Sequence, residues 1–258
     1  MSYETIEYEI SGHLGLIRFR DYNGNRDTFV SLSQDLLNAA RNINSDNDIW
    51  AVILTGLGAK PILSEWDWIM EAQETQDPDG ILEVGSIAGS IAGIDRPVVA
   101  GIRGEAIDGA LELALSCDIR VATEESRFGF THLEKGLIPW DGGTQRLARL
   151  VGKGRALEMI LTGMILDAPE AYRIGLVTRV VSGKELEDTV MAIAGEMVAK
   201  GPIALKYAKE AVNKGMDLTL EQGTRLEADL YMLIHTSRDR TEGIRAFQEK
   251  RRPQFEGR

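Results

Sequence analysis

Apolar and polar residues alternate over residues 3 to 10 and again over 14 to 20, and the two runs flank Ser11 and Gly12, which predicts a β-hairpin. The period then lengthens. Leu32, Leu36, Leu37, Ala40 and Ile43 fall on one face of a helix. WAVILTG, from Trp50 to Gly56, is an unbroken apolar run closed by glycine, as a buried strand should be. Leu82 to Ile94 follows a helical pattern, PVVAGIRG a strand pattern, Gly109 to Ser116 a helix and DIRVAT a strand. This alternation, up to about residue 125, predicts a largely parallel sheet with crossover helices.

Beyond Thr144 the pattern turns helical: TQRLARLVG, GRALEMILTG and PEAYRIGL, then a short strand VTRVV. Long helices come next, from about Glu185 to Ala199, Ile203 to Lys214 and Leu220 to His235. Too few strands remain for a second sheet, so these amphipathic helices must bury their apolar faces on the first half or on another subunit.

Composition narrows the function. A chain of 258 residues that is 43% hydrophobic can fill a sizeable core. The net charge of -11 is spread along the chain, which argues against a nucleic-acid partner. The single cysteine, Cys117, excludes an internal disulfide framework and a cysteine-rich zinc site, and its apolar setting predicts burial. The N-terminal residues lack the order of a signal peptide, and no apolar run approaches the ~20 residues that span a bilayer. A cytoplasmic protein without membrane contact is expected.

The stretch FGFTHLEKGLIPWDGG carries candidate chemistry. It holds His132, a residue type that ordinarily titrates near neutral pH, and Asp141, an acid that could orient the ring. The residues alone also allow a structural histidine beside Glu134 and an ordinary turn aspartate before two glycines. His13, in the hairpin turn, and His235, at a helix end, are not candidates.

Several segments together resemble the crotonase (enoyl-CoA hydratase/isomerase) superfamily: AVILTGLG, RPVVAGIRGEAIDGALELALSCDIRVATEESRFGF, GLIPWDGGTQRLARLVGKGRALEMILTG, AYRIGLVTRVV and EGIRAFQEKRRPQF. The resemblance implies an α/β fold with a crotonase-like ββα spiral core over residues 1–197 and a C-terminal helical trimerisation region over 198–258. It also implies a homotrimer or dimer of trimers and an oxyanion hole. By position, the hole's donors are the backbone N–H groups of Ser64 and Gly109. Two such donors aimed at a developing enolate stabilise a transition state by several kcal/mol.

The chain departs from the usual hydratase pattern. Of the two glutamates that share a water molecule, the first is present as Glu112, but the second position is His132. The first oxyanion segment reads LSEWDW, and the familiar GGG is Asp108, Gly109, Ala110. The segment NGNRDTFVSL also lacks the pattern usual near the adenine-binding region. This combination resembles the branch that hydrolyses carbon–carbon bonds of β-diketones, the 6-oxocamphor hydrolase-like enzymes, with His132, Asp141 and Glu227 matching that branch's histidine, aspartate and late glutamate. Glu65 and Asp67 match its acids in the oxyanion segment.

The resemblance thus implies retro-Claisen cleavage of a cyclic β-diketone. His132 would act as general base, Asp141 would hold its tautomer, and Glu227 would hold substrate or water. Trp66, Trp68 and Trp140 would line the pocket of an alicyclic diketone. Glu112 has either a catalytic or a structural place in that scheme, and no metal or redox cofactor is expected. The alternative is an enoyl-CoA hydratase/isomerase acting on an acyl-CoA thioester. There Glu112 would work alone or with His132, and Lys250 and Arg251 would assist on the coenzyme's phosphates.

Overall fold

The hairpin predicted at the start of the chain forms as strands β1 (Ile6–Ser11) and β2 (Leu14–Phe19), paired antiparallel from Ile6 opposite Phe19 to Ser11 opposite Leu14. The structure, a computed structural model, describes residues 3–20, 26–57 and 86–258. Helix α1 (Arg26–Ser45) leads to β3 (Ala51–Leu57), α2 (Ile87–Ala92) precedes β4 (Val98–Ile102), and β6 (Ile119–Thr123) and β9 (Arg179–Val181) complete a six-stranded sheet. Its order is β1-β2-β3-β4-β6-β9, with every pairing after the hairpin parallel.

The central strands read as unbroken apolar runs because both faces of the sheet are covered. Val52 and Leu54 of β3, with Val98, Ala100 and Ile102 of β4, face the larger core, where Leu32, Leu36 and Ile43 of α1 lie. Ala51 and Ile53, with Val99 and Val121, face the opposite way and are covered by Leu186, Val190, Ile193 and Ala194 of α7 (Leu186–Val198). The two-residue period of a strand thus divides one apolar run between two cores.

A smaller sheet leaves no mark on the hydrophobic pattern. Its strands β5 (Glu105–Ile107), β7 (Arg127–Gly129) and β8 (Leu166–Asp167) are too short to show a period. Strand β5 runs into α3 (Gly109–Ser116), all of whose residues are buried. Strand β7 runs into a 3₁₀ turn (His132–Lys135), followed by α4 (Gly143–Val151), α5 (Lys153–Thr162) and α6 (Ala168–Arg173). Cys117, just after α3, is buried as expected, and burial pushes its thiol up to about 12.

The long C-terminal helices are α8 (Pro202–Gly215) and α9 (Leu220–Ile234), followed by α10 (Arg238–Gln248). Arg120 ties the end of α3 to the turn before β9, donating from Nε to the Leu176 carbonyl at 2.8 Å and from Nη1 to the Cys117 carbonyl at 2.6 Å. Lys209 of α8 bonds the Arg96 carbonyl at 2.8 Å and Asp118 at 2.7 Å, while Lys206 pairs with Asp95 at 2.5 Å. None of the helices among the described residues is long and apolar enough to cross a membrane.

Asp118 is the hinge of that seam, because its Oδ2 also accepts the N–H of Val98 at 2.7 Å. Asp118→Ala would leave a largely buried ammonium and a strand N–H without this acceptor. The expected loss is about 2 kcal/mol of unfolding free energy, read as a lower urea midpoint with unchanged slope.

Candidate active site

The site is assembled where two parallel strands end side by side. Ile107 is in register with Gly129, so the residues just past each strand, Asp108 on one and Phe130 to His132 on the other, are brought together. Asp108 donates its N–H to the Gly129 carbonyl at 3.0 Å, and its own carbonyl accepts from Leu111 and Glu112 to start α3. Chain separation hides this meeting from any local pattern.

Asp108 adopts φ 54° and ψ −124°, a backbone that suits glycine and strains a residue with a Cβ. Its carboxylate is fully engaged. Oδ1 accepts the Thr131 N–H at 2.6 Å, Oδ2 accepts the Thr131 hydroxyl at 2.6 Å, and the Nδ1 atom of His132 stands 3.0 Å from Oδ1. Burial works to raise this carboxyl, but the hydrogen bonds from His132 and Thr131 outweigh it and hold it below the usual carboxylate range. The ring of His132 is 1% exposed and lies 5.7 Å from that of Phe130, centroid to centroid.

Glu112 sits one helical turn beyond Asp108 and is fully buried in an otherwise apolar helix. Its Oε1 accepts two backbone N–H groups, from Asp141 and Gly143, each at 2.8 Å. These donors stand at the N-terminus of α4, where helix geometry leaves N–H groups available and the dipole favours a negative charge. Gly142, between them, has φ 97° and turns the chain so that both can point at one oxygen.

The acid expected to orient His132 has another task. Asp141 accepts the Ala88 N–H at 2.7 Å through Oδ2 and the Ser86 hydroxyl through Oδ1, which anchors the start of α2. Asp108, not Asp141, is therefore the acid at His132 Nδ1. Glu227 is exposed on α9, a helix packed mainly on α8, and the structure does not bring it to the His132 turn. Trp140, 39% exposed, flanks the Asp141 turn. Gly109 is buried as the first residue of α3, so its N–H stands at the N-terminus of that helix. Ser64, Glu65, Trp66, Asp67 and Trp68 lie outside the described residues.

Arg251 is bound to Glu242 at 2.5 and 3.0 Å and to Glu249 at 2.6 Å, so its charge is answered within the protein. Lys250, beside it, sits at φ 54°. Arg251, with the Gln254 N–H and Arg245, holds Glu242 well below the usual carboxylate range.

Comparison with known proteins agrees with this scaffold. A family model described as enoyl-CoA hydratase/isomerase matches residues 11–258. A crotonyl-CoA hydratase of Syntrophomonas wolfei subsp. wolfei is 34% identical over 263 residues, covering 99% of each chain. A short-chain-enoyl-CoA hydratase of Clostridium acetobutylicum is 37% identical over 214 residues, covering 81% of each. The crystal structure of an enoyl-CoA hydratase from Bacillus anthracis matches with a TM-score of 0.88 at 34% identity, covering 99% of this chain and all of that one.

These relatives overturn the expectation of a β-diketone hydrolase. Proteins alike along the whole chain are named as probable enoyl-CoA hydratases, one from Rhizobium meliloti at 36% identity over all of both chains. From the second half of its first hairpin to its last residue, the chain belongs to the enoyl-CoA hydratase/isomerase family.

Proposed function

We propose that the protein acts on an acyl-CoA thioester as an enoyl-CoA hydratase/isomerase, forming an enolate at the thioester oxygen and exchanging a proton at the neighbouring carbon through Glu112. The observation that carries this reading is the burial of Glu112 on an apolar helix, one turn from Gly109, with one oxygen fixed by two N–H groups. A carboxyl group withdrawn from water and held in one orientation suits proton transfer to carbon, which needs a short and directed path. The Gly109 N–H at the head of the same helix suits the oxygen on which charge develops. The names of relatives similar along most or all of their length support the same substrate class.

Residues 198–258 suit the assembly of a trimer or dimer of trimers around a core of residues 1–197. In support, Leu220, Tyr231, Met232 and Leu233 of α9 and Phe247 of α10 are all at least half exposed, an arrangement that favours cover by another subunit.

Purified protein is expected to hydrate or isomerise short enoyl-CoA thioesters, monitored by loss of the conjugated thioester absorbance. Glu112→Gln keeps an oxygen for the two N–H groups and removes the exchangeable acid, so turnover should fall about 10²- to 10⁴-fold with the fold intact. Equal turnover in the variant would overturn the role of Glu112, and a wild-type protein inert toward every enoyl-CoA would overturn the activity.

Gly143 tests the same anchor from the other side. A Cβ there would stand 2.8 Å from Glu112 Oε1, 2.8 Å from Phe130 Cζ and 2.9 Å from Pro139 Cβ. Gly143→Ala is expected to lose about 1–3 kcal/mol of stability, measured by thermal unfolding, and to lower turnover by displacing the carboxyl group.

A further inference from the structure

We propose that Asp108 is a positioning residue that makes His132 the water-activating base of this site. The inference rests on the acyl-CoA reading above and adds a second proton-transfer group to it. Its basis is the register of β5 and β7, which sets Asp108 beside the 130–132 segment, and the closure of both carboxylate oxygens by Thr131. Held at both oxygens, the carboxylate cannot rotate. It therefore presents Oδ1 to the imidazole Nδ1 in one geometry, 3.0 Å away.

An imidazole that donates its Nδ1 proton to such an acceptor keeps a lone pair on Nε2, the atom on the far side of the ring. Asp108 holds this geometry at φ 54°, where glycine would be relaxed, so the acid is kept against backbone strain. Asp108 and Glu112 are both set by α3, one at its cap and the other a turn later. One helix thus places the partner of a base and an acid at a fixed spacing.

Hydration balances in atoms and charge. Nε2 of His132 takes a proton from water as the water oxygen bonds to C3 of the enoyl thioester. The π electrons move to the thioester oxygen, held at the Gly109 N–H, and C2 then takes a proton from Glu112. The imidazolium's proton returns to the Glu112 carboxylate, which restores both groups and leaves a 3-hydroxyacyl thioester.

Among the described residues, the ionisable groups on the elements around the His132 turn are few. They are Asp108 and Glu112 on α3, Asp141 and Arg146 at the start of α4, the exposed Glu134 and Lys135 of the turn itself, and on α5 the exposed Lys153 and Glu158 with the Arg155 that pairs with Glu158. Of these, Asp108 stands at hydrogen-bond distance from the ring.

The test is the pH dependence of kcat and KM for crotonyl-CoA hydration by the full-length protein. Asp108→Asn keeps an amide oxygen for the Thr131 N–H and the ring but removes the charge. The expected result is a kcat lowered about 10- to 1000-fold, with KM within about twofold, and an acid limb of kcat/KM moved to lower pH, because the imidazolium loses its neighbouring anion. Asp108→Gly, which relieves the strained backbone, should unfold at a temperature no lower than the Asn variant and be no more active. His132→Ala should lose hydration and regain part of it with added imidazole. An active wild type whose Asp108→Asn variant keeps both its kcat and its acid limb would overturn this inference alone, as would an undiminished His132→Ala variant. A wild type inert toward all enoyl-CoAs would overturn it together with the reading on which it rests.

Discussion

A carboxyl group buried in an apolar helix is tolerated only if the protein answers its polar atoms, and the placement of Glu112 imposes that condition on everything around it. The answer is two N–H groups from the Asp141–Gly143 turn, and supplying both to one oxygen requires the left-handed backbone at Gly142. With the turn fixed, the Asp141 side chain is directed at the first turn of α2, so the heads of α2, α3 and α4 are held through one bend. Stability and site geometry are the same set of bonds here. Loosening the turn would release the acid and the helix ends at once.

The second constraint is the pairing of β5 with β7, only three residues on each side. Parallel strands end on the same edge of a sheet, and the segments leaving them meet there, as in other α/β proteins whose sites gather at the carboxyl ends of strands. In this chain the meeting produces the contact of Asp108 with Thr131 and His132.

Much of the fold was legible in the sequence. The hairpin, the buried strands at 51–57, 98–102 and 119–123, and the helix Gly109–Ser116 follow from periodicity, because each is long enough or apolar enough to carry a pattern. The short strands of the second sheet and the polar helix α10 were not legible, the first for lack of length and the second because its apolar positions are few. For the site, Glu112 and Gly109 could be placed through motif spacing on one helix. The partner of His132 could not, because proximity along the chain favoured Asp141, whereas strand register selects the more distant Asp108. The available signal was an aspartate where the family carries glycine, a substitution that strains the backbone and therefore asks for a reason.

The seam between α8 and the core has a different character from the sheet it adjoins. Pro202 is the one buried residue of α8, and Lys206 and Lys209 hold the helix to Asp95, Asp118 and the Arg96 carbonyl largely by charge. The more exposed Lys206–Asp95 pair weakens with ionic strength, whereas the largely buried Lys209–Asp118 pair and the apolar packing around β3 and β4 are screened far less. The molecule thus joins two grades of cohesion, a sheet held by apolar packing on both faces and a C-terminal helix held to it by a few polar anchors.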